Sequence, residues 1–248
     1  MDVRPVVLIL GGTTEARELA TELHAGGDVR VVTSLAGVVR APAKPAGDLR
    51  IGGFGGPEGL ADWLVAHAVT AVVDATHPFA ATISANAVSA CRREDVPLIR
   101  LVRPGWVPDD GDRWHRVGSG QAAAALLPGL GDRVFLSTGG YQLTEFTRLD
   151  LWFLLRSIEP PRMPLPPRSE VVLARGPFSL DEERALLRRH RIDVLVTKDA
   201  GGPRPAAKLT AARELGLPVV MIDRPALPAA AEAGDVASAV RAVREVTG

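Results

Sequence analysis

Residues 5–17 read PVVLILGGTTEAR, an apolar, β-branched run that passes directly into Gly11-Gly12-Thr13-Thr14 and then into a helical period. A strand feeding a glycine turn and a helix leaves backbone N–H groups and the positive end of the helix dipole facing the space above the turn, which suits an anion. The spacing approaches the dinucleotide fingerprint Gly-x-Gly-x-x-Gly/Ala: Gly11 and Ala16 fit the first and last positions, and Thr13 stands where the middle glycine would be. Neither Thr13 nor Thr14 is followed three residues on by Glu or Gln, so no capping box claims their hydroxyls. At least one of them is expected to donate to a phosphate; a plain threonine N-cap is the alternative.

Outward from that turn, short β-rich runs alternate with helical periods, the pattern of parallel strands joined by crossover helices in an α/β fold. The spacing predicts strands over 5–10, 29–34, 49–54, 70–75 and 97–102, and helices over 14–25, 57–67 and 79–94. In the last helix Phe79, Ile83, Ala87, Ala90 and Cys91 share one face, so Cys91 reads as a small buried side chain. Pro104-Gly105-Trp106-Val107-Pro108-Asp109-Asp110-Gly111 interrupts both periods. Beyond it, strands are expected over 113–117, 133–137, 151–156, 170–175, 192–197 and 217–222, with helices over 119–127, 179–190, 206–215 and 234–246. The expected organisation is a domain over 1–103, a linker over 104–112 and a domain over 113–248. Right-handed crossovers would line up the strand C-terminal ends of each sheet along one edge, where ligands of open α/β sheets bind.

Composition narrows the classes of function. Hydrophobic residues make up 46% and charged residues 23% of the 248, with Gly and Pro dispersed, which excludes a disordered or fibrous chain. No run approaches the roughly 18 apolar residues of a membrane span, and the first residues lack the pattern of a secretory signal, so a cytoplasmic location is expected. One cysteine and five histidines without ligand spacing predict no metal site. Lys plus Arg and Asp plus Glu are both 29, and this zero net charge argues against a nucleic-acid binder. An anionic ligand must then be met by local clusters.

The strand ends supply those clusters. The second strand ends Val32-Thr33-Ser34 with no acid to take ribose hydroxyls, and Arg40 and Lys44 follow, which favours NADPH over NADH. The fourth ends Asp74-Ala75-Thr76-His77-Pro78, setting a hydroxyl and an imidazole on the same edge; a packing or capping histidine is the alternative. In the second half the ends read Ser137-Thr138-Gly139-Gly140-Tyr141, Arg156-Ser157-Ile158-Glu159-Pro160, Ala174-Arg175-Gly176-Pro177 and Thr197-Lys198-Asp199-Ala200-Gly201-Gly202. Arg156, Arg175, Lys198 and Lys208 together would suit a polycarboxylate, although each arginine alone could be a surface ion-pair partner.

LILGGTTEARELA, DATHPFAATISANA, LVRPGW, LSTGGYQLTEF, RSIEPP, ARGPFSLDEERALL, and VTKDAGG followed by AAKLTAARELGLPVVMI closely resemble, in order and along nearly the whole chain, the precorrin-6A reductase family (CobK/CbiJ) of cobalamin biosynthesis. The resemblance implies an α/β enzyme of two Rossmann-like domains with mainly parallel sheets, its active site in the cleft between them. It further implies hydride delivery from NADPH to a double bond of precorrin-6A, a tetrapyrrole carrying many carboxylates, to give precorrin-6B. One departure is Pro203-Arg204-Pro205 before the Ala207-Lys208 pair, where the family leads one to expect Thr or Glu. The expected cofactor contacts are Gly11, Gly12, Thr13, Thr14, Glu15, Ser34, Thr76, His77 and Gly139. The expected substrate contacts are Arg156, Arg175 and Lys208. Lys198 and Asp199 are the expected catalytic groups, since hydride addition must be completed by a proton. A helix-entry loop pinned by an aspartate cap is the plainer reading of that pair. Alternatives are a cobalt-precorrin-6A reductase using NADH, a non-catalytic dinucleotide sensor, or an S-adenosylmethionine methyltransferase, whose cofactor has no phosphate for the Thr-rich turn. A monomer or small homo-oligomer is expected.

Overall fold

Strand β1 (Val6–Leu10) is apolar on both faces because both are covered by helices. Val7 and Ile9 pack with Ala16, Leu19, Ala20 and Leu23 of α1 (Thr14–Gly26). These four lie at helical spacing on one face, and Gly27, in the left-handed region with φ 74°, ends the helix. Leu8 and Leu10 pack on the other side with Leu60 and Leu64 of α2 (Pro57–Ala66) and with Ala87 and Cys91 of α3 (Ala81–Arg93). Strands β2 (Arg30–Leu35), β3 (Asp48–Ile51), β4 (Val69–Asp74) and β5 (Leu98–Leu101) join β1 in parallel. The computed structural model describes residues 4–37, 44–139, 143–202 and 206–248.

The chain then builds a second parallel sheet from β6 (Arg113–Val117), β7 (Arg133–Ser137), β8 (Trp152–Ser157), β9 (Ser169–Leu173), β10 (Val194–Lys198) and β11 (Pro218–Ile222). Helices α4 (Gly120–Leu126), α5 (Leu180–Arg189) and α6 (Ala207–Glu214) belong to it. Phe135, Leu154, Leu195 and Met221 from its strands pack with Leu187 and Leu209 from α5 and α6. The C-terminal segment adds β12 (Ala231–Ala233) beside β5, and α7 (Val236–Thr247), which packs on α1, β4 and β5.

Two compact units result: Met1–Pro104 with Pro225–Gly248, and Gly105–Arg224. The first sheet runs β3-β2-β1-β4-β5-β12, the order of a doubly wound dinucleotide-type sheet. The second runs β9-β8-β7-β10-β11-β6, the same order with its last edge strand taken from the start of the unit.

The domain bounds read from sequence need correction. Pro225–Gly248 returns to the first unit, where Ala233, Ala239, Val240 and Val243 complete the core beside α1. Residues 105–112 count with the second unit, held there by Trp106, whose backbone N–H reaches Asp199 and whose indole N–H reaches the Gly202 carbonyl. Several element bounds also shift, two of them beside the expected site. The third strand stops at Ile51, before the Gly52-Gly53-Phe54-Gly55-Gly56 run, and α3 starts at Ala81, after the Pro78 turn. Among the described residues no helix is long and apolar enough to cross a membrane.

Candidate active site

The turn after β1 is shaped by two glycines with different reasons. A Cβ on Gly11 would stand 2.9 Å from Thr33 Cγ2, so only glycine lets β1 approach β2 here, where the Gly11 N–H donates to the Ser34 carbonyl at 2.9 Å. Gly12 has φ 120°, and nothing lies within 4 Å of where its Cβ would be, so its backbone is open to a ligand. Thr13 is the N-cap of α1. Its hydroxyl accepts from the Ala16 N–H at 3.1 Å and donates to the Ala75 carbonyl at 2.8 Å. That hydroxyl thus ties the turn after β1 to the end of β4, and its one proton is already given to the Ala75 carbonyl. Thr14 Oγ accepts from Arg17 at 3.1 Å. Glu15 puts a carboxylate in the first turn of α1, where a phosphate would feel it, and Arg103 neutralises it at 2.7 Å.

Along the same edge, Asp74 is buried and receives the Thr76 hydroxyl at 2.6 Å and the Thr76 N–H at 3.2 Å. Arg100, also buried, stands 3.6 Å from Asp74 and donates to the Pro228 carbonyl at 3.0 Å, linking β4 to the C-terminal return. His77 Nδ1 accepts from the Phe79 N–H at 3.2 Å, which leaves the proton of the neutral ring on Nε2 and holds the turn before α3. Ser34 is buried at the end of β2 and accepts from Arg50 Nη1 at 3.1 Å. Arg50 went unremarked in the sequence; its signal was a cation on the strand next to an acid-free β2 end. Of the two cations expected there, Lys44 is exposed and Arg40 lies outside the described residues.

In the second unit the structure gathers Ser137, Lys198 and Lys208. Thr197 pairs with Ser137 in the parallel register, so Lys198 follows at the same edge. Lys208, 7% exposed in the first turn of α6, donates to Ser137 Oγ at 3.2 Å and lies 5.5 Å from the Trp106 ring centre. Burial pulls both ammonium groups down from the usual lysine range to about 8, and for Lys208 the charges of Arg156 and Lys198 add to the effect while Glu183 opposes it. Thr138 is buried beside them, and Gly139 takes φ 66° with open space at its Cβ position.

Two of the expected site residues already have partners within the second unit. Arg156 makes a two-pronged pair with the buried Glu183 at 3.0 and 2.7 Å through its two terminal nitrogens and lies 3.9 Å from the Phe178 ring centre, so its charge is already matched by a carboxylate. Asp199, 4% exposed, accepts from the Trp106 N–H at 3.1 Å and from Arg116 at 2.9 Å, while its own carbonyl accepts from Arg224 at 3.0 Å. Both ends of the second unit are therefore pinned on this one residue. Arg175 is exposed and makes no ion pair among the described residues. The Pro203-Arg204-Pro205 departure and Gly140-Tyr141 lie outside the described residues.

Two parallel sheets of this order, with a glycine–threonine turn at the centre of the first, define an α/β protein of the Rossmann-like class. Residues 6–244 match the family model described as precorrin-6x reductase CbiJ/CobK. The chain is 54% identical over 243 residues to a precorrin-6A reductase of Rhodococcus erythropolis, covering 97% of this chain and 98% of that relative. It is 33% identical over 239 residues to a cobalt-precorrin-6A reductase of Priestia megaterium, covering 89% and 91%. A solved structure described as CobK precorrin-6A reductase superposes with a TM-score of 0.91 at 45% identity, covering 98% of this chain and 97% of that one. The chain belongs to the precorrin-6x reductase CbiJ/CobK family.

Proposed function

We propose that the protein reduces a double bond of precorrin-6A with NADPH to give precorrin-6B, as a cytoplasmic enzyme of cobalamin biosynthesis. The observation that carries this reading is the full-length likeness to relatives named for precorrin-6A, at 54% identity against 33% for the cobalt-named relative. When bound, the dinucleotide would supply the hydride.

The residues of the first unit fit that group. The open backbone at Gly12 and the start of α1 suit a pyrophosphate, and Arg103 removes the repulsion of Glu15. Residues 31–47 contain no Asp or Glu, so nothing from that stretch repels a 2′-phosphate. Thr76 and His77 border the same edge. In the second unit Lys198 is our candidate for the proton: its ammonium is mostly charged at neutral pH yet close to release. Asp199, already accepting from two donors, is better suited to holding the Lys198 strand end in place. Lys208 and Arg175 are candidates to meet carboxylates of the macrocycle.

An anaerobic assay with precorrin-6A and NADPH tests the reading. NADPH should be oxidised and precorrin-6B should appear, with near-complete loss in Lys198→Ala. Purified protein that binds NADPH but never oxidises it in the presence of precorrin-6A would overturn the reading in favour of a sensor.

A further inference from the structure

We propose that Arg50 reads the 2′-phosphate of the dinucleotide and sets the preference for NADPH over NADH; this rests on the NADPH reading above. The register pairs Arg50 of β3 with Ser34 of β2, and the Ser34 carbonyl receives the Gly11 N–H at 2.9 Å. Gly11, Ser34 and Arg50 thus follow one another outward along the C-terminal edge. In sheets of this order, the adenosine ribose lies by the end of the second strand.

The guanidinium is held ready rather than neutralised. Nη1 donates to Ser34 Oγ at 3.1 Å and to the Gly52 carbonyl at 2.5 Å, Nη2 donates to the Gly53 carbonyl at 2.8 Å, and the group lies 3.7 Å from the Phe54 ring centre. Those three bonds use three of its five N–H groups. Nε–H and one Nη2–H remain, and these nitrogens share one edge of the planar group, the fork that takes a phosphate through two parallel bonds. Arg30, Arg100, Arg103 and Arg244 of the same unit each face a carboxylate. Arg50 faces none among the described residues; burial lowers its pKa, and no neighbouring acid raises it back.

The surrounding chain is shaped to hold this side chain. Gly52, Gly55 and Gly56 take φ of 120°, 84° and 101°. A Cβ on Gly59 would stand 1.9 Å from the Phe54 carbonyl oxygen, so only glycine lets α2 sit against the loop carrying the stacked ring.

The test is a calorimetric titration of the full chain and of Arg50→Gln with 2′,5′-ADP, 5′-ADP, NADPH and NADH. Glutamine keeps an amide donor for the glycine carbonyls and loses the charge and the fork. Affinity for NADPH and 2′,5′-ADP should fall on the order of 10- to 100-fold, the worth of a charge-assisted bidentate contact, while NADH and 5′-ADP bind unchanged. Equal weakening of both dinucleotides would make Arg50 a staple of the loop and overturn the proposal, as would a retained NADPH preference. A wild-type chain that does not discriminate would overturn the NADPH reading itself, and this assignment with it. Should Arg50→Gln not fold, Arg50→Lys keeps the charge without the fork and must show a smaller loss confined to NADPH and 2′,5′-ADP, with NADH and 5′-ADP unchanged.

Discussion

At the centre of the first sheet, between β1 and β4, the chain passes through Gly11-Gly12 into a helix of 13 residues. At the equivalent place in the second sheet, between β7 and β10, it gives Ser137, Thr138 and Gly139, and the connection to β8 holds a 3-10 turn at Leu143–Phe146 with no α-helix among its described residues. One centre offers backbone N–H groups and a helix dipole, worth about half a positive charge that cannot titrate. The other offers the ammonium groups of Lys198 and Lys208, full charges whose protons are loosely held. The same strand order therefore supports two kinds of anion chemistry. The fixed dipole suits a phosphate whose charge is constant, and the lysines suit carboxylates and a step that consumes a proton.

The most severe way to break this contrast is to disturb the neutralised pair beside the lysines. Glu183→Ala leaves the Arg156 guanidinium, 11% exposed, without its partner and should cost about 3–5 kcal/mol in a denaturant titration. If Arg156 served the substrate instead, Arg156→Ala would raise KM and leave the denaturation midpoint in place.

The titrating character of the second centre predicts a pH effect. Below about pH 8 both folded and unfolded chains carry the Lys208 proton, and the cost of burying the charge is fully present. Between about 8 and the ordinary value of 10.5 the unfolded chain still holds the proton while the folded chain releases it, so stability rises with pH across that window. The rise should be on the order of 3 kcal/mol for this residue and should be missing from Lys208→Met, measured by chemical denaturation at successive pH values.

Smaller changes sharpen the first centre. Gly12→Ala must place a side chain at φ 120°, which should cost about 1–3 kcal/mol by thermal melt and weaken dinucleotide binding further, because the methyl points into the open space. Thr13→Ala removes the cap and the tie to Ala75 and should cost about 1 kcal/mol. Thr13→Ser should recover most of that loss; no recovery would mean that the methyl group, rather than the hydroxyl, holds the turn.

The elements were legible because each is decided locally. Val6–Leu10 had to be a doubly covered strand, and Ala16, Leu19, Ala20 and Leu23 had to be one helix face. The strand missed was Ala231-Glu232-Ala233, three residues too short and too rich in alanine to show a period, and it exists only because β5 has an open edge to pair with. For the same reason nothing local revealed that Pro225–Gly248 returns to the first unit.

At the site, the glycine turn and the charged strand ends were readable from residue type alone, since glycine content and side-chain charge are local properties. Which of those groups already have partners is settled by long-range packing. The Thr13 hydroxyl is taken by Ala75, 62 residues away, the two terminal nitrogens of Arg156 by Glu183, 27 away, and the Asp199 carboxylate by Trp106 and Arg116, 93 and 83 away. A side chain's bonding capacity is written in its own covalent structure; whether that capacity is already filled depends on distant partners that only the packed fold brings within 3 Å or so.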